Sequence, residues 1–324
     1  MARRVLITTP WITAGGEVAT QLSAAGFEVA HDSAGRDSGR LAGFDAVIGG
    51  TEPFTAAELN AASSLRVLVR TGVGFDNVDL EAASERGIAV GITPGSNRIS
   101  VAEHVLALML SCARKIPQSV AAVGEGRWTQ PSGTELHGAT LGIIGLGSIG
   151  KTVARMAAAL QMSVIAYDPY LDQAFLDESG VKAATLDELL TQSDFVTLHI
   201  FLDDSTRHLI GDRALRMMKD SAYLISTSRG GVVDEHALGV ALREGRLGGA
   251  ALDVLETEPL PADSPLRTVP DLIITPHTAG ATTGARARSG QIAAQSIIDF
   301  FAGKPVPGIV NSERVEAVTT GGTR

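Results

Sequence analysis

Gly145-Leu146-Gly147-Ser148-Ile149-Gly150 stands near the middle of this 324-residue chain and has the G-x-G-x-x-G spacing of a dinucleotide-binding turn. A short apolar run over residues 141–146 leads into the turn and is typical of a buried parallel strand. Apolar residues then recur at three- and four-residue spacing up to Leu160, which predicts a helix. Strand, glycine turn and helix together predict a site where a helix N-terminus binds a pyrophosphate. Because about 140 residues precede the loop, we expect the nucleotide domain to be inserted into another domain.

A second apolar run, residues 163–167, ends in Asp168, roughly 20 residues past the glycine loop. A carboxylate at this place can accept hydrogen bonds from a ribose diol. No Arg or Lys occurs in residues 168–171, so a 2′-phosphate would meet a negative charge without a counter-ion. The sequence therefore predicts NAD in preference to NADP. The alternative is that the glycines only turn the chain beside a surface aspartate.

Composition favours an enzyme-sized protein of two domains. The mass of 33.6 kDa and the hydrophobic fraction of 44% allow a large core. No apolar run reaches the length of a membrane span, and the run after Arg4 is too short for a signal peptide, so we expect no membrane partner and a cytoplasmic location. The net charge of −9 argues against nucleic acid. Cys112 is the only cysteine, which excludes an internal disulfide and a multi-cysteine metal site, and we predict no metal.

Strand and helix patterns alternate along nearly the whole chain, which predicts an α/β fold with two doubly wound parallel sheets. We expect a Rossmann-type NAD domain inserted into a flavodoxin-like substrate domain. The predicted boundaries are 1–98 and 287–324 for the substrate domain and 99–286 for the NAD domain. Residues 93–97 break the pattern and are the candidate hinge; Ser100 and Glu103 have the spacing of a capping box at the start of a long helix. Strands are predicted near 4–8, 27–30, 45–48, 66–70, 88–90, 141–146, 163–168, 195–200, 222–227, 248–254 and 272–275, and a last helix near 284–302.

Three polar residues follow the carboxyl ends of successive strands in the second block. Arg229, Glu258 and His277 come after the strands near 222–227, 248–254 and 272–275. Parallel strands end at one edge of a sheet, and ligands of open α/β sheets bind outside that edge. We therefore expect a cation, a carboxylate and an imidazole to converge on the nicotinamide end of the dinucleotide.

This set of residues suits the reduction of a 2-keto acid. Arg229 can hold a carboxylate through two parallel hydrogen bonds. His277 can protonate the carbonyl oxygen, or act as the base in the oxidative direction, because imidazole titrates near neutral pH. Glu258 would bond the other ring nitrogen and so orient the ring. Each residue also has a structural alternative: an Arg that caps a loop, an exposed Glu, and a His that satisfies a backbone carbonyl.

Several long motifs extend beyond these residues. They are Arg70-Thr71-Gly72-Val73-Gly74-Phe75-Asp76-Asn77-Val78-Asp79, Ser100-Val101-Ala102-Glu103-His104, the glycine loop, Ser226-Thr227-Ser228-Arg229-Gly230-Gly231-Val232-Val233-Asp234-Glu235, Leu252-Asp253-Val254-Leu255-Glu256-Thr257-Glu258-Pro259 and Pro276-His277-Thr278-Ala279-Gly280. On these motifs, from about residue 44 to 311, the chain resembles the D-isomer-specific 2-hydroxyacid dehydrogenase family, most closely its phosphoglycerate dehydrogenase-like branch.

The resemblance implies roles for residues that the spacing alone does not assign. In the family the Arg, the Glu before Pro and the His after Pro carry catalysis, and these match Arg229, Glu258 and His277. The family also implies a homodimer joined through the NAD domain, with an arm that residues 126–136 resemble. Backbone at Val73 and Gly74 would meet the substrate, with Thr51 and Arg70 as further substrate residues. The implied NAD contacts are Gly145, Gly147, Ser148, Ile149, Gly150, Asp168, Thr227, Ser228, Asp253 and Gly280.

Departures from the family pattern bear on the substrate. Phosphoglycerate dehydrogenases commonly carry basic residues in the loop after the third strand, whereas residues 49–53 here contain Glu52 and no Arg. Phe201 and Ser226 also replace the proline and asparagine that are common in the family. We therefore expect a small anionic 2-keto or D-2-hydroxy acid whose identity and phosphorylation the sequence does not decide. Two alternatives are a D-3-phosphoglycerate dehydrogenase of serine biosynthesis, and an NAD-sensing scaffold like the C-terminal-binding corepressors.

Overall fold

The computed structural model describes residues 2–32 and 39–315. The chain forms two compact units, unit 1 with Met1–Asn97 and Ala281–Arg324 and unit 2 with Arg98–Gly280. The domain boundaries drawn from the sequence, 98/99 and 286/287, stay a prediction. Residues 316–324 of the predicted substrate domain lie outside the described residues.

The N-terminal part of unit 1 alternates strands with helices. Its elements are β1 (Arg4–Ile7), α1 (Glu17–Ala24), β2 (Glu28–His31), β3 (Ala46–Gly49), α2 (Ala56–Ala61), β4 (Val67–Arg70), α3 (Leu80–Glu85) and β5 (Ala89–Gly91). The strands pair in the order β2-β1-β3-β4-β5, all parallel. This is the flavodoxin-like order 2-1-3-4-5.

Unit 2 is built around a larger parallel sheet. Its elements are α4 (Arg98–Ala113), α5 (Ile116–Gly124), β6 (Thr140–Ile144), α6 (Ser148–Ala159), β7 (Ser163–Tyr167), α7 (Gln173–Ser179), β8 (Lys182–Ala183), α8 (Leu186–Gln192), β9 (Phe195–Leu198), α9 (Asp212–Met217), β10 (Tyr223–Ser226), α10 (Glu235–Arg243), β11 (Gly249–Leu252), a 3₁₀ helix (Pro265–Thr268) and β12 (Leu272–Ile274). The strand order is β12-β11-β10-β9-β6-β7-β8. Strand succession reverses between β6 and β9, which makes that point the switch point of a Rossmann-type sheet.

Helix α11 (Thr283–Phe301) returns the chain to unit 1. Its buried residues Ala293 and Ile297 pack in one cluster with Val5 and Ile7 of β1, while Leu6 belongs to a second cluster. Successive side chains of a strand point to opposite faces, so helices cover both faces of this sheet. That explains why the strands consist of continuous apolar runs.

The prediction of two parallel α/β sheets is confirmed, and each predicted strand is present within two residues of its expected ends. Edge strand β8 was not predicted. The capping box at Ser100 is wrong, because α4 begins at Arg98 and Ser100 lies inside its first turn. In the turn before the helix, Arg288 Nε donates to the Ser96 carbonyl oxygen at 2.8 Å. Within the described residues, none of the helices combines the length and apolarity that crossing a bilayer requires.

Candidate active site

The three glycines of the loop after β6 have different surroundings. Gly145 has φ +95°, and a Cβ there would lie 2.5 Å from the His199 carbonyl oxygen. A Cβ on Gly150 would lie 2.2 Å from the Gly145 carbonyl oxygen, so this glycine lets α6 pack against the turn. A Cβ on Gly147 would contact nothing within 4 Å. The outer glycines therefore serve the turn and its packing, whereas the middle one leaves open space above the backbone.

The N-terminus of α6 is suited to an anion. Its N-cap residue is Gly147, which has no side chain to accept from the first N–H groups, and Ser148 is exposed. Such groups carry partial positive charge and bind phosphate in nucleotide-binding folds. At the carboxyl edge of the same sheet, the Thr227 Oγ1 is buried and has no hydrogen-bond partner among the described residues. The open glycine, a helix N-terminus without a side-chain cap and an unpartnered hydroxyl fit a dinucleotide with its pyrophosphate on the loop.

Asp168 ties the end of β7 to the glycine loop. One carboxylate oxygen accepts from the Leu146 N–H at 2.7 Å and the other accepts from the Tyr170 N–H at 2.8 Å. Both bonds come from the backbone, and the carboxylate remains partly exposed. Since each carboxylate oxygen has a further lone pair, Asp168 can still accept from a ribose diol.

Arg229, Glu258 and His277 follow β10, β11 and β12, which are neighbours in the sheet. All three lie beyond the carboxyl ends of their strands, the same edge that carries the glycine loop after β6. Arg229 is half-buried, and its Nη1 donates to the Ser228 carbonyl oxygen at 2.8 Å.

Glu258 and His277 form a hydrogen-bonded pair. His277 Nδ1 lies 2.8 Å from Glu258 Oε2, and the other oxygen, Oε1, accepts from the Leu255 N–H at 2.9 Å. An ionised carboxylate only accepts, so Nδ1 carries the proton and Nε2 is left to exchange a proton with a ligand. The imidazole is 52% exposed, which leaves Nε2 within reach of a small molecule.

Asp253 organises the backbone around His277. Its carbonyl oxygen accepts from the His277 N–H at 2.9 Å, and its carboxylate accepts from the N–H groups of Thr278 and Ala279, both at 2.9 Å. His277 itself has φ 52°, a left-handed conformation that non-glycine residues adopt at a cost. The bonds to Asp253 therefore hold His277 in a backbone conformation that it would not adopt by itself.

The Asp253 side chain is 1% exposed but charged. Burial by itself would raise the pKa of this carboxyl, yet hydrogen bonds outweigh burial and lower it; they come from His104, from Thr275 and from the two N–H groups. His104 Nε2 lies 3.2 Å from Thr275 Oγ1 and 3.4 Å from Asp253 Oδ1. Residue spacing assigns no role to His104, and only its place in the Ser100–His104 motif could have indicated this contact.

In unit 1, the residues that the resemblance assigns to the substrate lie beyond β3 and β4. Arg70 is buried; its Nε donates to the Gly50 carbonyl oxygen at 2.6 Å and its Nη1 donates to the Gly74 carbonyl oxygen. Arg70 therefore fixes the backbone of both loops. Thr51 is exposed, and Val73 and Gly74 are half-buried.

Glu52 lies in the loop that follows β3. Its Oε1 accepts from the Gly50 N–H at 3.1 Å and from the Thr8 hydroxyl. The carboxylate is thereby held within the loop.

Comparison with known proteins identifies the family of this chain. Residues 106–279 match the model of the D-isomer specific 2-hydroxyacid dehydrogenase family's NAD binding domain. A D-3-phosphoglycerate dehydrogenase of Archaeoglobus fulgidus is 42% identical over 276 residues, 84% of this chain and 52% of that protein. A glyoxylate reductase of Korarchaeum cryptofilum is 40% identical over 272 residues, 82% of either chain.

The fold agrees with a solved structure as well. The glyoxylate reductase from Paecilomyes thermophila has a TM-score of 0.84 at 29% identity, covering 96% of this chain and 99% of that one. The chain spans about half the length of the phosphoglycerate dehydrogenases that it matches. On the family model and the extent of these matches, the chain belongs to the D-isomer specific 2-hydroxyacid dehydrogenase family.

Proposed function

We propose that the protein is an NAD-dependent oxidoreductase that interconverts a small anionic 2-keto acid and its D-2-hydroxy acid. The observation that carries this proposal is the 2.8 Å bond between His277 Nδ1 and Glu258 Oε2, at the sheet edge that also carries the glycine loop and Arg229. An oriented imidazole, a guanidinium and a dinucleotide loop are the parts that this reaction needs.

The chain's own groups have separate roles in the reaction. Arg229 holds the substrate carboxylate through parallel N–H donors. His277 Nε2 gives its proton to the carbonyl oxygen as negative charge develops there, and takes it back in the oxidative direction. Glu258 keeps the ring in one orientation and stabilises the imidazolium. The dinucleotide supplies the hydride when bound.

The cofactor proposal rests on the open glycine loop and on Asp168. The Asp168 carboxylate disfavours a 2′-phosphate because no Arg or Lys occurs within residues 168–171. NAD is therefore the proposed cofactor. The residues proposed to contact it are Gly145, Gly147, Ser148, Ile149, Gly150, Asp168, Thr227, Ser228, Asp253 and Gly280.

On the substrate side, Thr51, Val73, Gly74 and Arg70 remain the proposed residues of unit 1, with Arg70 acting through the loop that it fixes. Glu52 places a negative charge in that unit's loop after β3, which disfavours a phosphorylated substrate. A second candidate, D-3-phosphoglycerate dehydrogenase, is favoured by the 42% identity to the Archaeoglobus fulgidus protein.

A panel of 2-keto acids separates the two candidates. Oxidation of NADH is followed by absorbance with pyruvate, glyoxylate, hydroxypyruvate and phosphohydroxypyruvate. We expect the highest kcat/KM with an unphosphorylated acid. A preference for phosphohydroxypyruvate selects the second candidate, and no turnover with any of the four contradicts the proposed activity.

His277→Ala tests the assigned chemistry, with the exposed His137→Ala as its matched control. Loss of a general acid lowers turnover about 100- to 10,000-fold, whereas affinity for NADH should stay near the wild-type value. His137→Ala should keep both. If His277→Ala retains turnover or loses NADH binding, the assigned role is wrong.

We also propose a homodimer formed through unit 2. Helix α5 exposes an apolar stripe with Ile116 at 48%, Val120 at 67% and Val123 at 56%, and Trp128 is 85% exposed nearby in sequence. Positions i, i+4 and i+7 share one helix face, and exposed apolar faces mark interaction surfaces. Light scattering should report a dimer for the wild type and for Ala121→Glu, which lies off the stripe, and a monomer for Val120→Glu. A monomeric wild type contradicts this proposal.

The cytoplasmic location stays a prediction.

A further inference from the structure

The loop that carries Glu258 is held from several sides. Glu258 Oε1 accepts from the Leu255 N–H at 2.9 Å, within the loop itself. From outside, Glu235 Oε1 accepts from the Glu256 N–H at 2.6 Å. Gly230 adds a close contact, since a Cβ there would lie 1.9 Å from the Leu255 carbonyl oxygen. The position of the Glu258 carboxylate thus depends on a backbone segment that the Glu235 side chain holds through the Glu256 N–H.

Glu235 is well placed to act as a fixed anchor. It is the first residue of α10, and the N-cap residue Asp234 accepts from the Ala237 N–H at 2.9 Å. The Glu256 side chain also reaches back, with Oε1 lying 3.1 Å from His208 Nε2 and 3.5 Å from the Glu235 nitrogen. The helix N-terminus and the Glu256 segment are therefore joined by reciprocal contacts.

The charged Glu235 carboxylate lies in electrostatically unfavourable surroundings. Burial raises the pKa of Glu235, the Glu256 N–H opposes this, and the carboxylates of Glu256, Glu258 and Asp234 raise it further. His208 lies beside this group of carboxylates, because its ring approaches Glu256 and lies 4.0 Å from Asp234. An uncharged acceptor of the same shape would make the same bond without this repulsion. The bond to the Glu256 N–H therefore requires an acceptor oxygen at this position and not a negative charge.

We propose that Glu235 is a positioning residue for the Glu258–His277 pair, acting through the hydrogen bond that it accepts from the Glu256 N–H. This inference rests on the proposed function, because the pair matters only where His277 transfers a proton. The bond fixes the segment from Leu255 to Glu258, and so fixes the carboxylate oxygen that faces His277.

Three variants separate the acceptor from the charge. Glu235→Ala removes the acceptor, Glu235→Asp keeps the charge but shortens its reach, and Glu235→Gln keeps an acceptor oxygen at the same length. Displacement of a catalytic group by about 1 Å can lower turnover on the order of 100-fold. We expect kcat to fall about 10- to 100-fold for Ala and Asp while NADH affinity stays unchanged, and Gln to stay within about twofold of wild type. Glu244→Ala, at the exposed far end of α10, is the control and should behave as wild type.

Amide hydrogen exchange of residues 253–258 gives a readout that needs no substrate. The Glu256 amide should exchange more slowly in the wild type and Gln variant than in the Ala and Asp variants. The proposal is overturned if the Glu256 amide exchanges at the same rate in all four proteins. It is also overturned if Glu235→Ala keeps the wild-type kcat, or if the kcat of Glu235→Gln is as low as that of Glu235→Ala. If Glu235→Ala does not fold, the comparison of Asp with Gln decides. If the wild type reduces none of the keto acids, the proposed function fails, and exchange still tests whether Glu235 holds the loop.

Discussion

Substitution of Gly147 by alanine separates a dinucleotide loop from a mere turn. The backbone at Gly147 is extended, with φ −73° and ψ −161°, which any residue adopts, and a Cβ there contacts nothing within 4 Å. The protein should therefore fold normally, with a change in unfolding free energy of less than about 1 kcal/mol. The new methyl group would occupy the open space where the pyrophosphate approaches the backbone.

The size of the binding effect follows from the contact that is lost. Hydrogen bonds to charged groups contribute about 1.5–3 kcal/mol, so loss of one N–H to phosphate bond weakens NADH binding roughly 10- to 150-fold. Gly150→Ala is the matched comparison, because its Cβ would lie 2.2 Å from the Gly145 carbonyl oxygen. Overpacking of that kind costs about 1–3 kcal/mol. At about 2–4 °C for each kcal/mol, Tm should fall by roughly 2–12 °C.

The assay combines NADH titration by fluorescence with thermal unfolding of the free protein. Gly147→Ala should lose affinity at an unchanged Tm, and Gly150→Ala should lose Tm before any ligand is added. If Gly147→Ala binds NADH as tightly as the wild type, the loop does not hold the pyrophosphate and the cofactor site is misplaced.

Two further predictions concern carboxylates. Asp168→Ala should reduce the preference for NAD over NADP, measured as the ratio of kcat/KM values, because the charge facing a 2′-phosphate is removed; an unchanged ratio refutes the assignment. Asp253→Asn should lower Tm near neutral pH, because an amide cannot accept from Thr278 and Ala279 with both atoms. The folded pKa of Asp253 lies below its unfolded value, so its stabilisation is complete above the unfolded value of about 3.9 and is lost as pH falls through the folded one. Tm of the two proteins, followed by circular dichroism against pH, should therefore converge in strong acid, and a constant difference contradicts this role.

Strand positions were predictable because both sheets are covered by helices on both faces. Runs such as Val5-Leu6-Ile7 must then be apolar at every position. Such a run can be recognised in the sequence without knowing which strands it pairs with. Strand β8 has only two residues, Lys182 and Ala183, both exposed, and no such pattern exists for it. The error at Ser100 has a different cause, because a serine three residues before a glutamate can also lie inside a helix that begins earlier, as α4 does at Arg98.

The placement of Arg229, Glu258 and His277 at one sheet edge was predictable, since each follows a strand end and parallel strands end at the same edge. The contacts that support these residues were not predictable, because the residues that make each contact are far apart in sequence. His104 contacts Thr275 across 171 residues and His208 contacts Glu256 across 48 residues. Pairs of this kind have no spacing signature, and only the folded chain shows them.

The Glu258 carboxylate divides its two oxygens between a backbone N–H and an imidazole, and this division has a consequence for chemical labelling. With Nδ1 of His277 engaged at 2.8 Å, the ring presents one nitrogen to reagents in solution. An acylating probe such as diethyl pyrocarbonate should form a single regioisomer at Nε2, and a bound oxamate-like acid should shield that atom. The position of the adduct on the ring thus reports, without any turnover, which nitrogen faces the substrate.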